Sequence, residues 1–298
     1  MSDPILVLGD TWDACSRLVE RVVPGAELVE YARLAGGVSA ETVRLTLRRP
    51  DGRLEHLVAR HYGHRTLSAD RQDTIAREAA LLREVARGGL PVPEVVHVDD
   101  EILPIPVLVM SFVEGSTAFA GTVAETARMA ELAARIHQHP VASVELPERL
   151  DPRPELLAWL ADEDELRSWV AAAGFVPCPA PVLLHGDLWP GNLLWRDGRI
   201  AAVLDWEDAA VGDPLSDVAC SRVEIACAAD RAAAEAFTDR YRELAEVDER
   251  RLSWWDLYVA TAALKWMGGW GLPPDLLATR RERTASFRAD AIQRLRSA

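Results

Sequence analysis

Three polar side chains stand out by type and spacing. Asp187 lies in His185-Gly-Asp187-Leu-Trp-Pro-Gly-Asn192, and Asp205 lies in Val203-Leu-Asp205-Trp206, 13 residues after Asn192. Asn192 is the sole asparagine of the chain. A loop and the end of an expected hairpin would bring the three together. Phosphoryl transfer needs this set: one carboxylate accepts or orients a hydroxyl, while an amide oxygen and a second carboxylate hold magnesium against phosphates. Magnesium is a hard ion that takes oxygen ligands, so an amide with one or two carboxylates suits it. A polar loop followed by scattered acids would carry the same residue types. The agreement of strand and loop context favours the chemical reading.

The elements that must position these residues can be read from periodicity. Thr42 to Arg48 alternates, with Val43, Leu45 and Leu47 on one face. Arg49-Pro50-Asp51-Gly52 signals a turn, and Leu54 to Tyr62 reads as the returning strand. Asp70 to Arg87 has helical spacing through Ile75, Ala79, Leu82 and Val85, and Gly88-Gly89 ends it. Val95 to Val98 and Val107 to Val113 read as further strands, so the first third holds strands and one clear helix. Helices are expected over Thr122 to Gln138, Leu156 to Ala173, Ser216 to Ala228, Arg231 to Ala245, Arg251 to Trp270 and Pro274 to Arg296. Among them, Val182 to His185, Asn192 to Trp195 and Ile200 to Leu204 read as β, the last two as a hairpin turning at Asp197-Gly198. The expected fold is α+β with two lobes. Residues 1–113 form a β-rich lobe, residues 114–298 a helical lobe, and a small-molecule site is expected in the cleft between them.

Composition bounds the function. A chain of 298 residues with 49% hydrophobic and 27% charged residues can bury its own core. The net charge of −14 argues against a nucleic-acid binder that works through phosphate contacts. Residues 1–113 carry 13 basic and 17 acidic groups, and residues 114–298 carry 20 and 30. The more acidic second part would attract a cationic small molecule, although solubility alone would also account for it. Cys15, Cys178, Cys220 and Cys227 have no paired spacing, which fits a reducing cytoplasm without disulfides or zinc. The opening Met1 to Asp10 has neither a basic region nor a long apolar run, so neither a signal peptide nor a membrane span is expected.

The run around Asp187 resembles the aminoglycoside phosphotransferase family of the protein-kinase-like superfamily. The resemblance is strong over residues 181–218, moderate over 34–115 and weak in the C-terminal helices. It implies a bilobal kinase-like fold, with nucleotide bound by the first lobe and acceptor by the second. It also implies Asp187 as the catalytic base, Asn192 and Asp205 as magnesium ligands, and His185 as support for the loop. Gly212-Asp213-Pro214-Leu-Ser-Asp217 is similar to a family segment in which Asp217 would anchor that loop. Leu34-Ala-Gly36-Gly37-Val-Ser39 resembles the loop over the nucleotide phosphates, although a Gly-Gly pair also makes ordinary turns. Glu78 matches the helix glutamate that pairs with a strand cation; a solvated helix face is the plainer reading.

The departure is that cation. Lysine occurs only at Lys265, and Arg60 stands where a phosphate-holding lysine would be expected. Arginine grips phosphate bidentately and stays charged, but its fork is not a point charge. His61 is the neighbouring candidate, facing the other way. Val107 to Gly115 resembles a hinge in which main chain near Ser111 and Val113 meets adenine beside Met110, and such contacts read ATP and GTP alike.

Other groups have plainer readings. Asp162-Glu-Asp-Glu165 reads as a solvated helix start, Cys220 and Cys227 as small buried residues, and His137 and His139 as caps. Trp254, Trp255, Trp266 and Trp270 read as core, with an acceptor wall as the alternative. The resulting expectation is a MgATP-dependent kinase acting on a small-molecule hydroxyl, antibiotic or related metabolite. The alternatives are a homoserine, choline, fructosamine or sugar kinase, or a silent nucleotide-binding scaffold.

Overall fold

The computed structural model describes residues 12–34, 40–62, 72–102, 106–140 and 143–297. The chain divides into two compact units, Met1–Glu114 with Ala202–Glu207, and Gly115–Ala201 with Asp208–Ala298. Among the described residues no helix is long and apolar enough to cross a membrane.

The first unit is built on an antiparallel sheet in the order β1-β2-β3-β5-β4. Its strands are β1 (Glu27–Arg33), β2 (Ala40–Arg48), β3 (Leu54–Tyr62), β4 (Val95–Asp99) and β5 (Val107–Ser111). Period-two alternation places Val43, Leu45 and Leu47 in the core, as the sequence predicts. The β2–β3 turn closes with Gly52 N–H on the Arg49 carbonyl, and Gly52 has φ +84°. Helix α2 (Gln72–Arg87) buries the expected Ile75, Ala79, Leu82 and Val85.

Among the described residues the first third holds two helices, where the sequence predicts one clear helix. Helix α1 (Trp12–Val22) packs Ala14, Cys15, Leu18 and Val19 against Leu28, Val43, Leu45, Leu57 and Val109. Two of its four inward residues are small, so its stripe lacks the bulky periodicity that marks α2.

The second unit is mostly helical. It contains α3 (Val123–Gln138), α4 (Arg153–Trp159), α5 (Asp164–Ala172), α6 (Pro214–Ala228), α7 (Arg231–Arg242), α8 (Glu249–Trp266) and α9 (Pro274–Ser297). The single helix expected over 156–173 is two. Leu160 N–H closes α4 on the Leu156 carbonyl, and α5 starts anew with Asp164 and Glu165 in its first turn. Four adjacent acids repel inside a helix but are favoured at its positive end. A small sheet orders β6 (Glu148–Arg149), β10 (Ala210–Gly212) and β7 (Val182–Leu184), the expected strand at Val182 joined to two that the sequence did not mark. The expected hairpin is β8 (Leu193–Arg196) with β9 (Arg199–Val203).

Helix α6 is the axis of this unit. Every residue from Leu215 to Cys227 is buried, so it has no solvent face. Asp213 caps it, accepting Leu215 N–H at 3.0 Å, with Pro214 at the first helical position. Its charged residues are therefore matched by partners. The Arg222 guanidinium meets Asp256 at 3.3 Å, and Arg294 reaches the other Asp256 oxygen at 2.7 Å. Arg280 on α9 pairs with Glu224. Removing one member of such a pair strands a buried charge. Asp256→Ala is expected to destabilise the protein by about 3–5 kcal/mol in urea denaturation, whereas exposed Asp162→Ala should change it by less than about 0.5 kcal/mol.

Candidate active site

In the first unit the sheet and α2 converge on Arg60. Strand register pairs Arg60 with Thr42 on β2 and Leu108 on β5. Its Nη1 donates to Glu78 Oε1 at 2.8 Å. Its Nη2 donates to Asp205 Oδ1, and Glu207 Oε2 lies 3.7 Å away. Arg60 and Glu78 are both buried. Glu78 is thus no solvated helix face. His61 points to the opposite side of β3, as alternation requires, and its Nε2 lies 2.7 Å from Glu41 Oε2. Asp205 has φ +64°, a left-handed conformation rarely adopted outside glycine, and follows directly on β9 and Leu204. Trp206 beside it is buried, and its Nε1 donates to the Val203 carbonyl at 3.4 Å.

The hinge-like segment is the end of β5. Met110 is buried between Val58 and Val95, to which it is paired. Ser111 N–H donates to the Glu94 carbonyl at 2.9 Å, and Ser111 Oγ accepts Glu94 N–H at 2.9 Å. Val113 follows the strand and is half-buried. Gly36, Gly37 and Ser39 lie outside the described residues.

In the second unit β7 delivers the loop that carries Asp187. Asn192 Nδ2 donates to Asp187 Oδ2 at 3.0 Å and to the Asp187 carbonyl at 2.9 Å. Both amide hydrogens are thereby committed to Asp187, which leaves the Asn192 oxygen as the acceptor end of that side chain. The Cys220 thiol donates to Asp187 Oδ1 at 3.7 Å. Asp187 N–H donates to His185 Nδ1 at 3.2 Å, and the His185 ring is fully buried. His185 therefore shapes the loop from within.

Asp217 on α6 anchors the same loop. Its Oδ2 accepts His185 N–H at 2.7 Å and its Oδ1 accepts Gly186 N–H at 2.9 Å. His137 Nε2 lies 3.3 Å from Oδ2, and His137 Nδ1 meets the Tyr241 hydroxyl at 2.7 Å. His137 is thus a buried link between α3, α6 and α7, where the sequence suggested a cap. Gly186 has φ +89°, and a Cβ there would stand 1.8 Å from the Asp208 carbonyl oxygen, so only glycine fits. Gly191 lies under the Trp189 ring, which a Cβ would meet at 2.1 Å.

Sequence reasoning missed several partners. Arg149 Nη1 donates to the Gly186 carbonyl at 2.7 Å, and Ser221 Oγ donates to the Leu188 carbonyl at 2.7 Å. Ser221 had a readable signal, since it lies four positions after Asp217 on the same helix face. Glu207 also had one, two residues past Asp205. Arg149 had none, because its place depends on the parallel β6–β10 pairing. Trp254 and Trp255 are core, whereas Trp266 is exposed.

Among the described residues no three His, Cys, Asp or Glu side chains form a metal-holding group. An amide oxygen and a single carboxylate are hard donors too few to cage an ion. Such a set fits magnesium, which is held largely by water and phosphate oxygens.

The electrostatics of Asp217 can be checked. Burial alone would push its carboxyl up. The hydrogen bond and charge of His137, the charge of His185 and the His185 N–H outweigh this and hold it below the ordinary 3.8. A depressed carboxyl contributes stability that is complete above its unfolded value and is lost as pH falls through its folded value. Asp217→Asn is expected to cost about 1–3 kcal/mol at pH 7. The gap from wild type should narrow below about pH 4, as read by melting temperature across pH.

The sequence model of the phosphotransferase enzyme family, APH, matches residues 30–255. A viomycin phosphotransferase of Streptomyces vinaceus is 36% identical over 73 residues, a stretch that spans 25% of that relative and 22% of this chain. The macrolide 2'-phosphotransferase MphH of Brachybacterium faecium superposes with a TM-score of 0.64 at 22% identity, covering 92% of this chain and 97% of that one. A thermostable mutant of aminoglycoside phosphotransferase APH(4)-Ia, in a ternary complex with AMP-PNP and hygromycin B, gives 0.62 at 18%, covering 93% and 98%. A GDP and kanamycin complex of a further aminoglycoside phosphotransferase gives 0.65 at 16%, covering 92% and 98%. These structures share the kinase-like α+β fold, and with three quarters of its length matched by the family model the chain belongs to the aminoglycoside phosphotransferase family of phosphotransferase enzymes.

Proposed function

We propose that the protein transfers the γ-phosphate of ATP to a hydroxyl group of a small molecule of the antibiotic type. The observation that carries this reading is the doubly held Asp187 carboxylate, with Asn192 Nδ2 on Oδ2 and the Cys220 thiol on Oδ1. A carboxylate fixed in this way can orient an incoming hydroxyl and accept its proton as the phosphorus–oxygen bond forms. Arg60, held by Glu78, would present its guanidinium to the nucleotide phosphates. Gly36, Gly37 and Ser39 would offer backbone N–H groups to the same oxygens. Met110 would pack on the base, and main chain near Ser111 and Val113 would bond its edge. Ser111 N–H is committed to Glu94, which leaves that role chiefly to Val113. Asn192 through its amide oxygen and Asp205 through its carboxylate would hold magnesium, which offsets phosphate charge when bound. His185 and Asp217 support the loop without touching substrate.

The relatives support the substrate class. One is named for viomycin and one for macrolides, and two solved structures carry hygromycin B or kanamycin beside a nucleotide. The Arg60–Glu78 pair favours an active enzyme over a silent scaffold, because the strand cation is present and anchored although lysine is absent.

The test is MgATP-dependent ADP release across aminoglycosides, macrolides, viomycin, homoserine, choline and simple sugars. Acceptor-stimulated release with an antibiotic is the expected result. Stimulation only by a metabolite would move the substrate class, and no stimulation by any compound would overturn the reading. Asp187→Ala is expected to lower kcat by roughly 100-fold or more while calorimetric nucleotide affinity stays near wild type. Asp205→Ala is expected to lose the magnesium dependence of nucleotide binding. Equal loss of folding in both variants would sink these assignments.

A further inference from the structure

Helix α6 meets the catalytic loop through one face and in register. Asp217, Cys220 and Ser221 are spaced i, i+3 and i+4, so they lie together on the helix surface. They engage four consecutive loop residues in order. Asp217 accepts the N–H groups of His185 and Gly186, Cys220 donates to Asp187, and Ser221 donates to the Leu188 carbonyl. Three of these four contacts serve the backbone. The one at Cys220 serves a side chain, and that side chain is Asp187.

We infer that Cys220 is a positioning residue for Asp187, its thiol fixing the plane of the carboxylate that accepts the substrate proton. The inference rests on the proposed role of Asp187. A carboxylate bonded through one oxygen still turns about its Cβ–Cγ bond. Bonded through both, by Asn192 Nδ2 at 3.0 Å and the Cys220 thiol at 3.7 Å, it keeps one orientation. A thiol suits this task because S–H is a weak donor. It aims the oxygen without occupying it as a charged ammonium would, so an incoming substrate hydroxyl can take its place. The thiol also keeps its proton. Burial, with the negative charges of Asp187, Glu224 and Asp217, pushes its pKa well above 9.0, against a smaller opposing effect of Arg149. Glu224, four residues further along α6, is ion-paired with Arg280 and so is engaged away from the thiol. A small buried residue chosen only for size would show none of this directionality, and alanine would replace it without effect on turnover.

Infrared spectroscopy tests the contact without knowledge of the acceptor. The difference spectrum of wild type minus Cys220→Ala isolates one S–H stretch among four cysteines. That band is expected at lower frequency than a free thiol and should move back up in Asp187→Ala. A band indifferent to Asp187→Ala overturns the inference. Kinetics test the role. Cys220→Ala is expected to lower kcat by roughly 3- to 10-fold, with the nucleotide KM and the melting temperature near wild type. Cys220→Ser, which restores a donor, should recover most of the loss. Full kcat in Cys220→Ala, or equal loss in the Ala and Ser variants, overturns it. Absence of turnover in wild type with every acceptor overturns the proposed function instead, and the infrared arm then decides alone whether the thiol holds Asp187.

Discussion

The second unit depends on one buried carboxylate. Asp217 is almost wholly removed from water, which by itself would favour its neutral form. It remains charged because two backbone N–H groups of the loop and the His137 ring converge on its oxygens. The donors are worth most in that low-dielectric setting, and each would be costly to leave unmatched. The loop and α6 therefore fix each other: the carboxylate needs the loop N–H groups, and the loop has no regular secondary structure of its own to satisfy them. Gly186 follows from this constraint, because its N–H reaches Asp217 while its α-carbon lies against the Asp208 carbonyl.

The first unit has a counterpart of opposite sign. One guanidinium, Arg60, faces Glu78, Asp205 and Glu207. Three carboxylates thus converge on one fixed positive charge, each strengthening the hold on it. A planar fork can serve two carboxylates through separate nitrogens, as Nη1 and Nη2 do here, where an ammonium would offer a single centre. Arginine at this position therefore changes the geometry of the cluster rather than its sign.

Much of this was legible from periodicity and spacing. β3 runs from Leu54 to Tyr62 as its alternation and flanking turn require, and the inward residues of α2 are those its spacing marks. Legibility ended where position depends on partners distant in sequence. His137 looks like a helix end because it is one; only the approach of α6 and α7 gives its ring Asp217 and Tyr241 to bond. The small buried Cys220 reads as core by composition, and its tie to Asp187 spans 33 positions along the chain. The helix expected over 156–173 fails because its inward positions fall out of phase across Asp162-Glu-Asp-Glu165, from Leu156 and Leu160 to Leu166 and Val170, and the acids favour the start of a new helix.

The acidic excess of residues 114–298 takes on a different meaning once the side chains are placed. The buried acids of the helices are matched: Asp213 with Arg251 at 2.8 Å, Glu224 with Arg280, and Asp256 with both Arg222 and Arg294. Other acids are exposed, some of them still in surface ion pairs: Asp162 and Asp164 at the start of α5, Glu163 facing Arg288, Glu165 facing Arg296, and Glu246 and Asp248 before α8. Exposed charge acts through a screened field with a reach of about 10 Å at 0.1 M salt. It can raise the local concentration of a cationic acceptor but cannot select one hydroxyl over another. Selection at short range must come from fixed groups around the loop, and there the chain has committed a carboxylate, an amide and a thiol within one hydrogen-bonded set. The net charge thus bears on how an acceptor arrives, and the Asp187 geometry on what is done to it.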